Sequence, residues 1–204
     1  MRVLVACEHS GTVRDAFRRQ GHVAVSCDLL PDESDWPGPY GGANPQLHRQ
    51  GDVLDLLSEG WDLLIAHPPC THLASSGARY FAAKRADGRQ QEGIDFFMAL
   101  AAAPIDRICL ENPVGVMSTH WRKPDQIIQP FDYGHPESKK TCLWLKGLPV
   151  LQPTDVLSTP ECGYWTNQTP SGQNKLGPSA DRWKLRSKTY DGIADAMAAQ
   201  WLYH

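Results

Sequence analysis

The sequence lacks the features that mark several classes of protein. It has no apolar stretch near the roughly 20 residues that a membrane-spanning helix needs. Its short apolar start, residues 1–7, meets Glu8 and His9 at once and is too brief for the core of a signal peptide. None of the six cysteines forms a C-x-x-C pair, which argues against a zinc ribbon or a thioredoxin motif. We therefore expect a cytoplasmic protein whose cysteines are mostly buried thiols.

An excess of positive charge is also missing. The 204 residues include 20 Lys and Arg against 23 Asp and Glu, so the formal net charge at pH 7 is −3. A protein that bound the phosphate backbone over its whole surface would be basic. Any contact with nucleic acid must therefore come from a local cluster of cations.

What the sequence does contain is an alternation of strand-like and helix-like segments. Strands are predicted over residues 2–7, 23–27, 61–66 and 105–110, and helices over 12–20, 92–102 and 192–202. At this spacing they predict an α/β fold, a doubly wound, largely parallel sheet with helices on both faces. The length fits a single domain over residues 1–204, with a loop-rich substrate segment at about 148–182.

Polar residues follow the predicted strands at the points where these end. Glu8, Asp28, the turn that contains Cys70, and Glu111 each come after an apolar run. In open parallel sheets, ligands bind outside the carboxyl ends of the strands. We therefore expect these residues to share one site.

Cys70 follows a buried strand and two prolines, which hold it on a rigid turn. It could be a small apolar residue in that turn, or a metal ligand with His67 and His72, although no fourth ligand lies nearby in sequence and we expect no metal. The third interpretation is a nucleophile, and Glu111 favours it. A thiolate can add to C6 of a pyrimidine while a protonated carboxyl stabilises the charge that develops at N3, which makes C5 able to attack an electrophilic methyl group.

The motifs around these residues resemble those of the cytosine-C5 DNA methyltransferases. The run from Asp62 to Cys70, DLLIAHPPC, is similar to their Pro-Cys motif, and Ile108 to Asn112, ICLEN, is similar to their Glu-Asn-Val motif. Similarity extends to the first strand and cofactor loop (residues 3–14), to Gly-Asp-Val at 51–53 and to the closing helix at 190–199. The chain thus resembles a small, phage-like member of the family that lacks a large target-recognition domain.

The resemblance implies a Rossmann-like fold of the S-adenosylmethionine-dependent methyltransferase type. Cys70 would be the nucleophile and Glu111 the acid, with Asp28 on the ribose of S-adenosylmethionine and Asp52 near its adenine. The full set of implied cofactor contacts is Glu8, Ser10, Gly11, Asp28, Asp52 and Pro69. The chain departs from the family's pattern where Thr71 replaces the glutamine after Pro-Cys, and where Lys139 and Lys140 are the nearest basic residues to the arginine motif expected after Glu111.

Basic residues also alternate near the end of the chain, at Arg182, Lys184, Arg186 and Lys188. On a strand they would lie on one face, either as a solvated surface or as a phosphate-binding stripe. The expected substrate-binding residues are Lys139, Lys140, Arg182, Lys184 and Arg186.

Three functions remain open at this point. The first is cytosine-C5 methylation of DNA, and the second is C5 modification of a free pyrimidine nucleotide of the dCMP type. The third is a catalytically silent relative that only binds nucleic acid or cofactor, against which the presence of both Cys70 and Glu111 argues.

Overall fold

Seven strands form one sheet, in the order β3-β2-β1-β4-β5-β7-β6, in the computed structural model, which describes residues 1–34, 47–177, 179 and 186–202. The strands are β1 (Arg2–Ala6), β2 (Val23–Asp28), β3 (His48–Gln50), β4 (Leu63–Ala66), β5 (Ile108–Pro113), β6 (Gln126–Ile128) and β7 (Thr141–Lys146). Strands β1 to β5 run parallel, whereas β7 runs antiparallel to both β5 and β6. The predicted doubly wound α/β sheet is confirmed, and the strand order reverses beside β1.

Helices cover both faces of the sheet because the central strands are apolar on both sides. The helices are α1 (Thr12–Arg19), α2 (Phe81–Ala86), α3 (Arg89–Ala101), α4 (Met117–His120) and α5 (Asp191–Gln200). One buried cluster joins one face of the sheet to α3 and α4, and a second joins the other face to α1 and α5. Three short 3-10 helices, Val53–Leu56, Ser75–Tyr80 and Pro130–Asp132, lie in the connections. In the described part of the chain, no helix is long and apolar enough to cross a membrane.

Strand β5 differs from its prediction in a way that matters for the site. The predicted strand 105–110 would end before Glu111, but β5 begins at Ile108 and runs to Pro113. The physical reason is β7, which pairs with β5 along its whole length, including Glu111 with Leu143 and Pro113 with Thr141. Glu111 is therefore held by a sheet ladder on one side, rather than placed on a free turn.

Two further predictions about secondary structure need correction. No strand was predicted between residues 27 and 61, but β3 lies there and pairs with Ser26–Asp28 of β2. The predicted basic strand falls partly outside the described residues, where Arg182 and Lys184 lie. Its described part is not extended, since Arg186 and Ser187 are helical. In the described sheet no strand pairs with this segment, so an extended backbone there would have no ladder partner.

Candidate active site

A cavity of about 1100 Å³ opens at the carboxyl ends of β1, β2, β4 and β5. Because β2 and β4 lie on opposite sides of β1, this is the point where the strand order switches, the usual ligand crevice of such sheets. Its volume is slightly larger than the range of roughly 300–1,000 Å³ for small-molecule sites. The cavity therefore has room for a cofactor and a second small molecule side by side.

Most of the predicted site residues lie at this cavity. Those that line it are Glu8, Ser10, Asp28, Pro69, Cys70, Glu111, Lys139, Lys140 and Arg186. Gly11 and Asp52 are not among the lining residues, and Arg182 and Lys184 lie outside the described residues. Gly11 instead precedes α1 in the left-handed conformation, at φ 72°. Asp52 is exposed, and its carboxylate accepts a hydrogen bond from the Leu54 N–H at the start of a 3-10 helix, 2.9 Å away. A cofactor contact by either residue stays a prediction.

Cys70 lies on a turn that is fixed from two sides. Before it, the Asn112 side chain donates a hydrogen bond to the Pro68 carbonyl oxygen at 2.7 Å, which ties the Pro-Pro turn to β5. After it, the Cys70 carbonyl oxygen accepts hydrogen bonds from the N–H groups of Leu73 and Ala74. The asparagine of the Glu-Asn pair thus has a structural role, since it positions the thiol relative to Glu111.

The environment of the Cys70 thiol raises its pKa. Burial is the largest cause, and it is opposed by the positive charge of Lys139 and reinforced by the negative charge of Glu111. A nucleophile near neutral pH needs the thiolate. In the absence of ligands, the protein therefore stores Cys70 as a thiol, and Lys139 supplies the largest stabilisation of the thiolate.

Glu111 is paired with a histidine. The Nδ1 atom of His67 lies 2.6 Å from Oε2 of Glu111, and both side chains are only 11% exposed. Burial by itself would raise the pKa of Glu111, but the charge and hydrogen bond of His67, with Lys139 and a hydrogen bond from Thr189, outweigh it, so the pKa of Glu111 is lowered. A protonated Glu111 is what the mechanism predicted from sequence needs, so the free protein has the opposite ionisation at this carboxyl.

From the sequence, His67 was a candidate only as a metal ligand, and Thr189 was not a candidate site residue. A usable signal existed for His67, because it directly follows β4 at a strand end where the other candidate residues lie. No pattern in the sequence points to Thr189, which comes to Glu111 from a loop 78 positions later in the chain. Among the residues that the structure describes, no three His, Cys, Asp or Glu side chains are grouped as metal ligands.

Lys139 lines the cavity, and its positive charge acts on both Glu111 and Cys70. Its ammonium group is 3.4 Å from the Lys188 carbonyl oxygen and 5.8 Å from the centre of the Tyr190 ring. The Tyr190 hydroxyl donates to a Glu137 carboxylate oxygen at 2.5 Å. The segment before β7 and the segment before α5 are thereby joined over the Cys70 side of the cavity.

The opposite end of the cavity is formed by the loops after β1 and β2. One Asp28 carboxylate oxygen accepts a hydrogen bond from the Leu30 N–H at 2.9 Å, and the other lies 3.7 Å from the His9 ring. The fully buried Arg14 reaches Asp32 and Ser34, at 2.8 and 2.5 Å, and so holds the segment after β2 against α1. These contacts fix the cavity wall that carries Asp28.

Glu8 has a structural role that is visible in its contacts. Its two carboxylate oxygens accept hydrogen bonds from the N–H groups of Val13 and Arg14 at the start of α1, at 2.6 and 3.1 Å. It is 4% exposed, and burial raises its pKa against the opposing charge of His67. A role for Glu8 in binding a cofactor stays a prediction.

No protein-family model matches the chain, and neither does any curated protein. Solved structures do match. A protein named as a DNA modification methyltransferase, encoded within a prophage of E. coli, is 18% identical with a TM-score of 0.49, over 77% of this chain and 52% of that one. The Entamoeba histolytica methyltransferase EhMeth is 13% identical with a TM-score of 0.50, over 77% of this chain and 57% of that one.

The chain therefore spans between one half and three fifths of the length of these structures. At such low identity the likeness to EhMeth concerns the fold, and it agrees with the seven-stranded sheet and its covering helices. This protein has a Rossmann-like methyltransferase fold.

Proposed function

We propose that the protein is an S-adenosylmethionine-dependent methyltransferase that modifies C5 of cytosine in DNA through a covalent bond between Cys70 and C6. The observation that carries the proposal is the placement of the Cys70 thiol and the Glu111 carboxylate at the ends of neighbouring strands, on one cavity at the switch point of a methyltransferase fold. A module that only binds a ligand needs neither group in that arrangement.

The two side chains would divide the activation of the ring between them. The Cys70 thiolate adds to C6, and Glu111 gives a proton to N3, so that the electron pair displaced from the C5–C6 double bond is held in an enamine. The thiol proton of Cys70 would leave to solvent before the attack. C5 would then take a methyl group and lose its own proton to solvent, and the sulfur would leave C6 as the thiolate while the C5–C6 double bond forms again. Lys139 stabilises the thiolate before the attack and after its release.

The residues present fit S-adenosylmethionine at the other end of the cavity. Asp28 offers a carboxylate at the end of β2 that could accept hydrogen bonds from ribose hydroxyls, and Leu29 and Leu30 add apolar surface beside it. When bound, this cofactor supplies a methyl group on a positively charged sulfur. Ser10 lines the same wall, at the start of α1.

A free pyrimidine nucleotide is the second candidate substrate. The net charge of −3 favours it over a polyanion with many phosphates. DNA remains our first choice because Lys139, Lys140 and Arg186 give the cavity wall a local positive charge.

Purified protein should transfer label from S-adenosylmethionine to duplex DNA, with single-stranded DNA and dCMP as parallel substrates. We expect Cys70→Ser to abolish turnover, and Glu111→Gln to slow it by about 10² to 10⁴, the usual contribution of a general acid. A substrate carrying 5-fluorocytosine should form a covalent adduct at Cys70, visible by mass spectrometry, because the C5 proton needed for release is absent.

Cys162→Ser is the matched control, since Cys162 is an exposed free thiol outside the cavity lining. It should leave both turnover and adduct unchanged. An active enzyme without an adduct, or a Cys70→Ala variant that still methylates, would exclude the covalent mechanism. If the protein turns over dCMP but neither form of DNA, the free nucleotide is the substrate and DNA is not.

A further inference from the structure

His67 is the buried polar residue of the cavity that the proposed chemistry leaves without a function. It occupies the position between β4 and the Pro-Pro-Cys turn, and its Nδ1 atom contacts Glu111 at 2.6 Å. Its other ring nitrogen, Nε2, is buried and has no hydrogen-bond partner among the described residues. A buried polar atom without a partner costs about 1–3 kcal/mol, so a purely structural hydrogen bond to Glu111 would be made more cheaply by an amide side chain.

The groups that face this pair make it an acidic cluster with one nearby cation. Glu8, from the loop after β1, and Glu111, from β5, both favour a positive charge on His67, and Lys139, from the segment before β7, opposes it. Burial also opposes that charge, yet the sum of these effects raises the pKa of His67 and lowers the pKa of Glu111. Glu111 thus contacts the imidazole, and the charge of Glu8 also acts on it, in a wall that carries the Cys70 thiol as well.

We propose that His67 is the proton store of the active site: its Nδ1 proton passes to Glu111 as Glu111 gives a proton to N3 of the pyrimidine. This inference rests on the proposed function. It explains how Glu111 can be ionised in the free protein and still give a proton to N3 during the reaction.

The proton transfers among His67, Glu111 and N3 cancel over the cycle, the thiol proton of Cys70 leaves to solvent and returns from it, and the one net proton, released from C5, goes to solvent. As the Cys70–C6 bond forms, N3 gains one proton, Glu111 passes one on, and His67 loses one and becomes neutral. As the sulfur leaves C6, N3 returns its proton to Glu111, and His67 is protonated again. If His67 supplies the proton through Glu111 in this way, its replacement changes the pH dependence of the reaction. If His67 only orients Glu111, its replacement leaves the pH dependence unchanged.

The first test needs no activity. In NMR titrations of the protein with ¹⁵N-labelled histidine, a His67→Asn variant assigns the His67 ring by the loss of its signals. We expect His67 in the wild type to titrate above the ordinary value of about 6.5, and to titrate lower in Glu111→Gln by about one unit or more. A His67 that titrates below 6.5, or that is unaffected by Glu111→Gln, would overturn the proposal.

The second test is the pH dependence of kcat. Asparagine can keep a donor near the position of Nδ1, but it cannot release a proton at these pH values. We expect His67→Asn to lose about 10²-fold in kcat at pH 8 and clearly less at pH 6, because Glu111 must then bind its proton from solution. His72→Asn is the matched control, since His72 lies in the same turn and does not line the cavity.

The outcomes separate this inference from the function on which it rests. An active enzyme whose pH profile is the same in His67→Asn and the wild type would overturn the proton store alone. A wild-type protein that turns over none of the substrates would overturn the proposed function, and with it the transfer to N3, even if His67 titrates as expected. A changed profile in His67→Asn and an unchanged one in His72→Asn would support it.

Discussion

At the scale of single residues, the pKa of the Cys70 thiol is set by burial and by the opposing charge of Lys139. Burial raises the pKa of Cys70, and Lys139 is the cation that most opposes that rise. The thiol of the free protein should therefore be protected from oxidation and alkylation, both of which require the thiolate. Tighter desolvation or an added negative charge would increase this protection.

The first prediction at this scale concerns Lys139→Met. Removing the ammonium group should raise the pKa of Cys70 further, and each added unit lowers the thiolate fraction at pH 8 about tenfold. The rate at which iodoacetamide alkylates Cys70, followed by peptide mass spectrometry between pH 7 and 10, should fall accordingly. Cys162 is an internal control in the same sample, because it is exposed, and its rate should not change. Equal Cys70 rates in the variant and the wild type would exclude the electrostatic role of Lys139.

At the scale of elements, the active-site turn depends on a contact between two loops that follow neighbouring strands. Residues after Cys70 and residues after β5 form a small bridge, in which Ser75 N–H donates to the Val114 carbonyl and Val116 N–H donates to the Leu73 carbonyl, each at 2.9 Å. Gly115 lies at the centre of this bridge, opposite Ala74. A Cβ atom at Gly115 would come within 2.1 Å of the Leu73 carbonyl oxygen.

Gly115→Ala should therefore separate the two loops. We expect a loss of about 1–3 kcal/mol in the free energy of unfolding, the usual cost of overpacking, measured by denaturant titration. Alkylation of Cys70 should become faster at the same time, because the turn that buries the thiol loosens. Gly51→Ala is the control, since no atom lies within 4 Å of a Cβ there. If Gly115→Ala is as stable as Gly51→Ala, the two loops can move apart without loss of stability, and this prediction is wrong.

A comparison of the strands shows which of them can be predicted from local sequence pattern. Strands β1, β2 and β4 are short, apolar and bounded by polar residues, so their existence, and the place of Cys70 after β4, followed from local pattern. Strand β7 could not be predicted in the same way, since its pairing with β5 is antiparallel and non-local. As a result, the prediction ended this strand at residue 110 and placed Glu111 just after it, whereas β5 runs to Pro113.

The ionisation states of Cys70 and Glu111 could not be predicted from the sequence, because they too depend on non-local contacts. The pattern placed Cys70 and Glu111 at one edge of the sheet, but their pKa values depend on His67, Lys139 and Thr189, which reach the pair from three separate segments. The mechanism needs a thiolate at Cys70 and a protonated Glu111, whereas in the free protein the pKa of Cys70 is raised and that of Glu111 is lowered. Local motifs identify reactive groups, whereas their charge is a property of the folded environment.

At the scale of the whole molecule, a net charge of −3 opposes the binding of a polyanion such as DNA, the substrate that we propose. With a net charge of −3, attraction to DNA must come from the cations at the mouth of the cavity, among which Lys140, Arg186 and Lys188 are exposed. A nucleotide needs only one phosphate contact, whereas a duplex needs several along its length. The salt dependence of binding therefore distinguishes the two substrates, because it counts the phosphates that the protein neutralises.

The last prediction reverses two of these charges in Lys140→Glu/Arg186→Glu. If the substrate is DNA, affinity should fall at every sequence tested, and the slope of log K against log salt should flatten by about one for each lost phosphate contact, hence by about two. Fluorescence anisotropy with a labelled duplex at several salt concentrations measures both quantities.

The control is Arg2→Glu/Arg19→Glu, which changes the net charge equally but lies where β1 begins and α1 ends, at the opposite edge of the sheet from the cavity. Because long-range attraction depends on net charge, this control should lower affinity slightly and leave the slope unchanged. An identical slope in the wild type and the Lys140→Glu/Arg186→Glu variant would remove these cations from the DNA interface. Wild-type protein that binds dCMP but shows no salt-dependent binding to the duplex would make the free nucleotide the substrate.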